Sequence, residues 1–547
     1  MRDDAPSDHS CQEKLTVSSG LVEASNNHYD QIPYKSYAHG HSQPDRLATI
    51  ATLFGMTPAP IEHSRVLELG CCSGGNIIPL AERFPDARFL GIDNSPRQIA
   101  DGHANMDGLG LGNISLECRD ILHLGPEFGQ FDYIIAHGVY SWVPPAVREK
   151  VLFICQQNLH PSGVAYLSYN TYPGWYLRGI IRDILLYQSR DLPDPADRIR
   201  HGRELIDALA RMAPRQDNVY GVVLRQEAEV LRGMEDHVLH HDYMEPHNNA
   251  VYFSQLMEEA NSHGLQYLGD AEIPWLLQPP SPTEAPDSPD VMDMDASARR
   301  IRAEQHFDFT AGRMFRKTLL CHRDVALDRS PTPLRAMNFH VASSARPESA
   351  VDLRSKVPAV FRAPIGAATM TEPLAKAALL QLSELWPGAI PMRELLAAAG
   401  SRVSSACDGY VQNTVGAERT LADLTQLFAA RMVDFSTTAP SFISTLSARP
   451  LSSAFARREA ERGNRVTNRR HESPALSDLQ RNVLGKLDGQ HDREALLEHL
   501  IDLAERRLLE VREQGTLIQD PNRLRQLFPA VLEATLSELA QLAFLIA

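Results

Sequence analysis

The stretch that decides the fold is Val66-Leu67-Glu68-Leu69-Gly70-Cys71-Cys72-Ser73-Gly74-Gly75-Asn76. Its apolar start predicts a short strand, and its glycines predict a sharp turn into a helix. Gly70 and Gly74 lack a Cβ, so the backbone can turn tightly there and approach a ligand closely. A nicotinamide-binding loop would follow the pattern G-x-G-x-x-G, but its second glycine position holds Cys72. The stretch therefore predicts a ligand-binding α/β turn of another class.

Short apolar segments alternate with helical segments outward from this turn. They recur every 20–30 residues, the length of one strand–helix unit, which predicts a parallel α/β sheet. Ligands of such sheets bind outside the carboxyl ends of the strands, so we expect the site where these segments end. The predicted strands are residues 66–69, 88–92, 114–118, 133–137 and 164–168.

Acidic residues end the second and third predicted strands. Asp93 follows Gly70 by 23 residues, and a carboxylate there can accept hydrogen bonds from both hydroxyls of a ribose. Asp120 ends the third strand. Either acid alone is also explained as the N-cap of the following helix. Together with Glu68 in the first strand, they favour a cofactor site.

This pattern resembles the E-x-G-x-G-x-G motif of class I S-adenosylmethionine-dependent methyltransferases, with Cys72 in place of the middle glycine. The resemblance implies that Glu68 helps to hold the amino-acid end of S-adenosylmethionine. It also implies that Asp120 accepts a hydrogen bond from the adenine amino group and that Ile121 flanks the ring. The cofactor-binding residues predicted in this core are Glu68, Gly70, Cys72, Gly74, Asn76, Asp93, Asn94, Asp120, Ile121 and His137.

Two loops rich in aromatic residues and proline follow the fourth and fifth strands, at residues 139–145 and 169–175. Methyl transfer is an in-line displacement that depends on positioning, so both loops are candidates for the acceptor side. Their aromatic rings can hold a cationic acceptor by cation–π attraction, or they can pack against the cofactor. His137 is either a general base or a hydrogen-bonded structural histidine. The predicted catalytic residues are His137, Tyr140, Trp142, Tyr172 and Trp175.

Longer motifs resemble one family within this class. Residues 29–36 (YDQIPYKS), 136–144 (AHGVYSWVP) and 168–175 (SYNTYPGW) resemble bacterial methyltransferases that carry a methyltransferase regulatory domain. The best understood members are rickettsial protein lysine methyltransferases acting on outer-membrane proteins. The resemblance implies that Tyr29 and Tyr34 fold over the cofactor as a lid.

The resemblance extends beyond the sheet to the C-terminus. Residues 241–245 and 307–323 resemble the regulatory domain, and residues 462–468 and 487–489 resemble a C-terminal winged-helix domain. It implies a Rossmann-like methyltransferase sheet, then a mainly helical regulatory region, then a winged-helix-like C-terminal domain. The predicted divisions are a disordered leader (1–27), the methyltransferase domain with its N-terminal lid (28–190), the regulatory or middle domain (191–345) and the C-terminal domain (346–547).

Local patterns add detail after residue 270. Residues 278–297 are rich in Pro, Ser and Asp and predict a linker. Residues 315–327 and 336–342 predict strands of a small separate sheet. Residues 457–470 contain six arginines and two acids, which is typical of a solvated linker. Helix–turn–helix units of winged-helix type are predicted around Arg393 and Arg493.

Composition restricts the partners and the compartment. A formal net charge of −15 argues against nucleic-acid binding. Neither a secretory signal nor an apolar stretch of membrane-spanning length occurs, and seven cysteines without zinc or redox spacing fit a reducing compartment. We therefore expect a cytoplasmic protein without membrane insertion. No metal is assigned, because His241 and Asp242 lack a matching ligand cluster, and a homodimer is compatible with the sequence.

Three functions remain open at this point. The leading hypothesis is methyl transfer from S-adenosylmethionine to lysine side chains of a protein, with the extra domains as docking surface. The alternatives are a methyltransferase for a small molecule or biosynthetic peptide, and a non-enzymatic winged-helix regulator with a vestigial cofactor site. The last is weakly supported, because residues 370–547 contain 20 basic and 22 acidic residues and a recognition helix needs a basic face.

Overall fold

The computed structural model describes residues 28–213, 218–272, 295–328, 332–407, 413–513, 516–518 and 520–546. The predicted leader and residues 278–294 of the predicted linker lie outside these ranges. The strands of the largest sheet are β1 (Arg65–Leu69), β2 (Arg88–Asp93), β3 (Ile114–Cys118), β4 (Phe131–Ala136), β5 (Leu159–Asn170), β6 (Leu265–Asp270) and β7 (Phe315–His322).

These seven strands form one mixed sheet in the spatial order β3-β2-β1-β4-β5-β7-β6. Strands β1 to β5 are parallel, and β7 is antiparallel to β5 and β6. The five predicted strands and the Rossmann-like fold are confirmed. The carboxyl ends of β1, β2, β4 and β5 meet at one edge of the sheet, and the order of connection reverses between β1 and β4. That is where ligands of open α/β sheets bind.

The central strands are mostly apolar because both of their faces are covered. Tyr133 and Ile135 of β4 join one hydrophobic cluster, whereas Ile134 and Ala136 join another on the opposite face. Side chains alternate between the faces of a strand, so a strand buried on both sides reads as a continuous apolar run. This explains why residues 133–136 form an unbroken apolar run.

Helices cover this sheet and form the middle region. Helix α2 belongs to the first cluster through Leu47 and Ile50, and α10 to the second through Leu256. The helices up to residue 311 are α1 (His28–Gln31), α2 (Pro44–Leu53), α3 (Ile78–Arg83), α4 (Pro96–Met106), α5 (Pro145–Gln157), α6 (Trp175–Ser189), α7 (Pro195–Met212), α8 (Val219–Gly233), α9 (Asp236–Met244), α10 (Phe253–Ser262) and α11 (Ala296–Ala311).

The prediction of a small sheet is wrong for residues 315–327, whose strand belongs to the seven-stranded sheet, whereas residues 340–342 do form a strand of a three-stranded sheet. Strand β7 pairs with β5 along six residues and brings β6 into the methyltransferase sheet. A buried charge cluster fixes this addition: the Arg316 guanidinium contacts Asp308 at 2.8 Å and Glu304 at 3.0 Å, both on α11. It also lies 3.9 Å from the centroid of the Phe253 ring. Sequence spacing could not reveal this pairing, because it joins residues about 150 positions apart.

The C-terminal part has two hydrophobic cores, one within residues 336–435 and one within 456–545. Helix α12 (Pro373–Leu385) buries an apolar face that includes Leu374 and Leu382, and it ends two residues before Pro387. Strand β8 pairs with β12 and β13, β10 pairs with β9 and β11, and β14 pairs with β15. The elements are β8 (His340–Ala342), β9 (Arg346–Pro347), β10 (Ala359–Ala363), β11 (Gly366–Met370), α12 (Pro373–Leu385), β12 (Ile390–Pro391), α13 (Met392–Ala406), α14 (Thr414–Ala429), β13 (Asp434–Ser436), α15 (Ala454–Arg462), α16 (Asp478–Leu484), α17 (Arg493–Glu505), β14 (Arg512–Glu513), β15 (Thr516–Leu517) and α18 (Pro521–Gln541).

The interpretation of residues 457–470 as a solvated linker is also wrong. Helix α15 covers the start of this segment, and the segment packs against the methyltransferase sheet's helices. The Arg458 guanidinium donates to the carbonyls of Ala104 and Asn105, at 3.1 and 3.0 Å. Arg458 and Arg462 therefore bind the carboxyl end of α4, where exposed carbonyls accept hydrogen bonds from cations.

Within the described residues, no helix combines the length and the apolar character needed to cross a membrane.

Candidate active site

A cavity of about 670 Å³ opens at the carboxyl ends of β1, β2, β4 and β5. Three parts of the chain line it: the sheet, the segment before α2, and the middle region from α6 to β7. All of the predicted core cofactor residues except Gly74 line it. The cavity therefore lies where the sequence predicted, but its far side comes from residues that the sequence did not assign.

The glycine-rich turn adopts the left-handed backbone that its sequence requires. Gly70, Cys72 and Gly74 have φ of 71°, 50° and 78°. A Cβ at Gly70 would lie 2.5 Å from Val139 Cγ2, so only glycine fits there. Cys72 occupies the left-handed region without being glycine, and its N–H donates to Asp93 Oδ2 at 3.0 Å. This hydrogen bond offsets the strain of about 1–2 kcal/mol expected for such a residue.

Glu68 is buried at the base of the turn and is only half-satisfied. Its Oε1 accepts a hydrogen bond from Asn76 Nδ2 at 2.7 Å. Its Oε2 is buried and has no hydrogen-bond partner among the described residues. Burial raises the pKa of Glu68 to about 8, although the Asn76 hydrogen bond opposes this rise. A buried acceptor without a donor is costly, so this oxygen marks a place for a donor from outside the chain.

Asp93 accepts two backbone hydrogen bonds, from Cys72 at 3.0 Å and from Ser95 at 2.9 Å. Burial nevertheless raises its pKa. Asp120 accepts from the N–H of Leu122 at 2.9 Å and so caps the short 3₁₀ helix Ile121–His123. The N-cap interpretation therefore holds for Asp120. Because a carboxylate offers about four acceptor positions, capping leaves both acids able to bind a ligand, and both line the cavity together with Asn94 and Ile121.

The segment before α2 crosses the glycine-rich turn. Ser36 Oγ accepts a hydrogen bond from the N–H of Gly75 at 2.9 Å, and the Tyr34 carbonyl accepts from Gln98 at 3.0 Å. The Tyr34 ring lines the cavity, and burial raises the pKa of its hydroxyl. The side chain of Tyr29, the other predicted lid residue, lies outside the described residues.

His137 ends the fourth strand and lines the cavity. Its Nδ1 lies 2.9 Å from Tyr166 Oη, and its ring stacks on His39 with the two centroids 3.8 Å apart. Burial, followed by the charges of His39 and Lys317, holds the pKa of His137 well below its ordinary value. A neutral imidazole with a strongly lowered pKa is a weak proton acceptor at neutral pH.

The aromatic residues of the two loops separate into two groups. Trp142 and Trp175 line the cavity, with their ring centroids 6.3 Å apart. One face of each ring is already occupied, since the guanidinium of Arg182 lies 5.5 Å from Trp142 and that of Arg178 lies 5.4 Å from Trp175. A cationic acceptor would therefore meet a ring edge or the remaining face.

Tyr140 and Tyr172 do not line the cavity. Tyr140 is fully buried, and its hydroxyl donates to Glu259 on α10. Tyr172 stacks on Tyr176 with the two ring centroids 4.1 Å apart. Both were predicted to contact the acceptor, but their strand-end positions do not settle where the rings point. The structure directs them into the packing of the middle region.

The far wall of the cavity is formed by residues that no motif of the sequence predicted to bind a ligand. Arg178 of α6 and His241, Asp242 and His247 of the middle region line the cavity. Burial raises the pKa of Asp242 to about 6, against the lowering charges of Arg178, His241 and Arg182. Residues 241–245 (HDYME) resemble the regulatory domain, but this resemblance does not indicate that His241 and Asp242 face the cavity.

S-adenosylmethionine fits the residues present in this cavity. The unsatisfied oxygen of Glu68 can accept from its α-ammonium, and the left-handed turn at Gly70 lets the backbone approach it closely. Asp93 and Asp120, one strand apart, present acceptors for a ribose and an adenine amino group. We find the same order of acids along the sheet edge that the motif implied.

Three family models match separate parts of the chain. A methyltransferase domain matches residues 66–163, and a predicted methyltransferase regulatory domain matches residues 235–322. The model described as "PKMT, C-terminal winged helix domain" matches residues 448–544.

Individual relatives cover nearly the whole chain. An uncharacterized protein of Rickettsia prowazekii is 32% identical over 94% of this chain and 92% of its own length. A second uncharacterized protein of that organism is 34% identical over 44% of this chain and 96% of its own.

A solved structure extends the comparison to three dimensions. PKMT2 from Rickettsia typhi in complex with AdoHcy is 28% identical, covers 94% of this chain and 100% of its own, and superposes with a TM-score of 0.82. Relatives, family models and cavity agree: this chain belongs to the S-adenosylmethionine-dependent methyltransferases that combine a Rossmann-like methyltransferase domain, a methyltransferase regulatory domain and a PKMT-type C-terminal winged-helix domain.

Proposed function

We propose that this methyltransferase transfers the methyl group to the ε-amino group of lysine in a protein. The observation that carries the proposal is Asp242, an ionisable carboxylate that faces the cavity and has no ion-pair or hydrogen-bond partner within the described part of the chain. A carboxylate in a partly desolvated wall favours a cationic ligand. The likeness to PKMT2, whose name denotes a protein lysine methyltransferase, supports the same acceptor class.

Asp242 is held in place by its backbone rather than by its carboxylate. The Arg182 guanidinium donates to the Asp242 carbonyl at 2.9 Å and to the Glu245 carbonyl at 2.7 Å, and so fixes the end of α9. Arg178, the other cation nearby, lies 3.9 Å from Glu227 and over the Trp175 ring. Arg182 is engaged with these two carbonyls, and neither arginine forms an ion pair or a hydrogen bond with the Asp242 carboxylate in the described residues, although the charge of each lowers its pKa. The carboxylate can therefore still bind an incoming ammonium.

S-adenosylmethionine supplies an electrophilic methyl group on a sulfonium. The acceptor nitrogen must be neutral to form the N–C bond, so the lysine ammonium has to lose one proton. Ionised Asp242 orients the ammonium and accepts this proton, which then passes to solvent at the cavity mouth. Trp142 and Trp175 exclude water around the acceptor stem, and positioning supplies much of the rate.

The cofactor half of the cavity is assigned by the same reasoning. Glu68 holds the amino-acid end, Asp93 the ribose hydroxyls and Asp120 the adenine amino group, with Ile121 against the ring. The turn at Gly70 and Cys72 supplies close backbone approach, and Tyr34 covers the site from the N-terminal segment. His137 is a structural residue in this proposal, since its hydrogen bond to Tyr166 and its stacking on His39 fix the end of β4.

The experiment compares wild type with Asp242→Asn and with Asp236→Asn. Asp236 is a matched control on the same helix, with an exposed side chain in an ion pair with Arg203. Each protein is incubated with methyl-labelled S-adenosylmethionine and a lysine-rich unfolded polypeptide, and methyllysine is measured by mass spectrometry. The same polypeptide with acetylated lysines is the negative acceptor.

We expect methyllysine with wild type and Asp236→Asn, and about a 10- to 100-fold lower kcat/KM with Asp242→Asn, because a hydrogen bond to a charged group contributes about 1.5–3 kcal/mol. Label on the acetylated polypeptide, or only in a small-molecule fraction of a cell extract, would refute lysine and favour the small-molecule alternative. Equal activity of Asp242→Asn and wild type would remove Asp242 from the acceptor site.

A further inference from the structure

One side chain of the C-terminal region contacts a residue that lines the cofactor half of the cavity. His471 is 3% exposed, and its Nε2 lies 2.9 Å from Oδ1 of Asn76, a residue of the glycine-rich turn. The two residues are 395 positions apart, and no local pattern in the sequence predicts the contact. His471 lies within the stretch matched by the PKMT-type winged-helix domain.

The hydrogen bonds around Asn76 fix the orientation of its amide. The backbone N–H of His39 can only donate, and it points at Asn76 Oδ1 from 2.9 Å. This oxygen is therefore the carbonyl, and the opposite atom, Nδ2, donates to Glu68 Oε1 at 2.7 Å. His471 donates to the same carbonyl oxygen. The imidazole and the His39 N–H thus hold one side of the amide and direct the other side toward Glu68, where Ser42 Oγ also accepts from Nδ2 at 3.2 Å.

His471 is itself held rigidly and in the required protonation state. Burial lowers its pKa to about 3, so the ring is neutral and its single N–H lies on Nε2. Its backbone has φ of 62°, a left-handed conformation that histidine adopts more readily than most residues. Next to it, the Arg469 carbonyl accepts a hydrogen bond from Arg83 of α3 at 3.0 Å.

We propose that the C-terminal domain completes the cofactor site, with His471 as a positioning residue that acts on Glu68 through the Asn76 amide. The inference rests on the proposed role of Glu68 as the partner of the cofactor's amino-acid end. It predicts that a domain outside the sheet contributes to cofactor affinity without touching the cofactor. By linkage, bound cofactor stabilises the docking of that domain by the same factor.

Other contacts join the same two domains, so the effect of His471 can be separated from docking in general. Phe455 is buried in the hydrophobic cluster of the methyltransferase sheet, and Glu82 Oε1 accepts from the N–H of Ala454 at 2.7 Å. Arg458 donates to the end of α4 and makes no contact with Asn76. Arg458→Ala is therefore a matched control that weakens the interface away from the cofactor half.

The test measures AdoHcy binding by calorimetry, and steady-state kinetics, for wild type, His471→Ala, His471→Gln and Arg458→Ala. We expect the Kd for AdoHcy and the KM for S-adenosylmethionine to rise about five- to tenfold in His471→Ala, the worth of one buried neutral hydrogen bond. The kcat at saturating cofactor should stay within about twofold, because the acceptor half is untouched. His471→Gln, whose amide can donate to Asn76, should recover part of the loss, and Arg458→Ala should bind like wild type.

Wild-type affinity in His471→Ala would overturn the inference. An equal loss in Arg458→Ala, or no recovery in His471→Gln, would also overturn it, because the effect would then come from domain docking. Asp93→Ala serves as the reference. If Asp93→Ala lost AdoHcy affinity and His471→Ala did not, only the inference about His471 would be refuted. A normal AdoHcy affinity in Asp93→Ala would refute the proposed cofactor half itself.

Discussion

The two halves of the cavity are built in different ways. The cofactor half takes its principal residues from one stretch, Glu68 to Ile121, in which strand ends follow one another along a parallel sheet. The acceptor half is assembled from α6, α9 and the start of β7, which are far apart in the chain. A cofactor common to many enzymes can be bound by a local motif, whereas the acceptor wall depends on how additional domains pack.

The largest expected effect lies in the cofactor half. Asp93→Ala removes acceptors for both ribose hydroxyls, and hydrogen bonds to a charged group contribute about 1.5–3 kcal/mol each. We expect the AdoHcy Kd to rise about 100-fold or more, measured by calorimetry. Asp101→Asn, an exposed acid on α4, is the control and should bind normally. A normal AdoHcy affinity in Asp93→Ala would contradict the assignment of Asp93 to the cofactor half, and with it the distinction between the two halves.

The next effect concerns the pH dependence of the acceptor half. The pKa of Asp242 is about 6 in the folded protein, and only its ionised form attracts an ammonium. Its charged or titratable neighbours are Arg178, Arg182, His241 and Tyr34. With cofactor saturating, kcat/KM for the acceptor should fall about tenfold per pH unit below 6. A profile that is unchanged in Asp242→Asn would assign the titration to another group.

The ionisation of Asp242 should have the opposite effect on stability: it favours binding of the acceptor but destabilises the folded protein. Its folded pKa lies above its ordinary value of 3.8, so the folded state binds more protons between those two pH values. The stability contribution of Asp242 is thus present below pH 3.8 and is lost as the pH rises through about 6. At pH 8 Asp242→Asn should therefore melt at a higher temperature than wild type, by calorimetric scanning. A lower Tm would mean that Asp242 is a structural residue.

A smaller effect tests the protonation of Glu68. Its pKa is about 8 in the free protein, and an α-ammonium beside Oε2 would favour its ionised form. Binding of AdoHcy at pH 7 should therefore release close to one proton, measured by calorimetry in two buffers of different ionisation enthalpy. Glu68→Gln should release none. Equal proton release by both proteins would assign the proton to another group.

The smallest effect separates the two groups of aromatic residues. Tyr172→Phe removes a hydroxyl outside the cavity, so kcat/KM should change by no more than about twofold. A large loss in Tyr172→Phe would return this tyrosine to the acceptor site.

The sequence was informative wherever the physics is local. Gly70, Asp93 and Asp120 were identified because strand ends and tight turns impose residue types at fixed spacing. Local patterns did not predict the sheet to which β7 belongs, because the pairing between residues 170 and 315 leaves no periodic pattern in the sequence. The prediction of a solvated linker at residues 457–470 was also wrong, because an arginine-rich segment has the same composition whether its arginines bind helix carbonyls or face solvent. The roles proposed for Asp242 and His471 depend on tertiary placement, which no local pattern predicts.

The most direct test measures both halves in the same two variants, Asp93→Ala and Asp242→Asn, with AdoHcy affinity from calorimetry and acceptor kcat/KM at saturating cofactor. We expect Asp93→Ala to lose AdoHcy affinity, and Asp242→Asn to keep that affinity while losing acceptor kcat/KM. If Asp242→Asn instead lost AdoHcy affinity and, at saturating cofactor, methylated lysine as wild type does, the division of the cavity into these two halves would be contradicted.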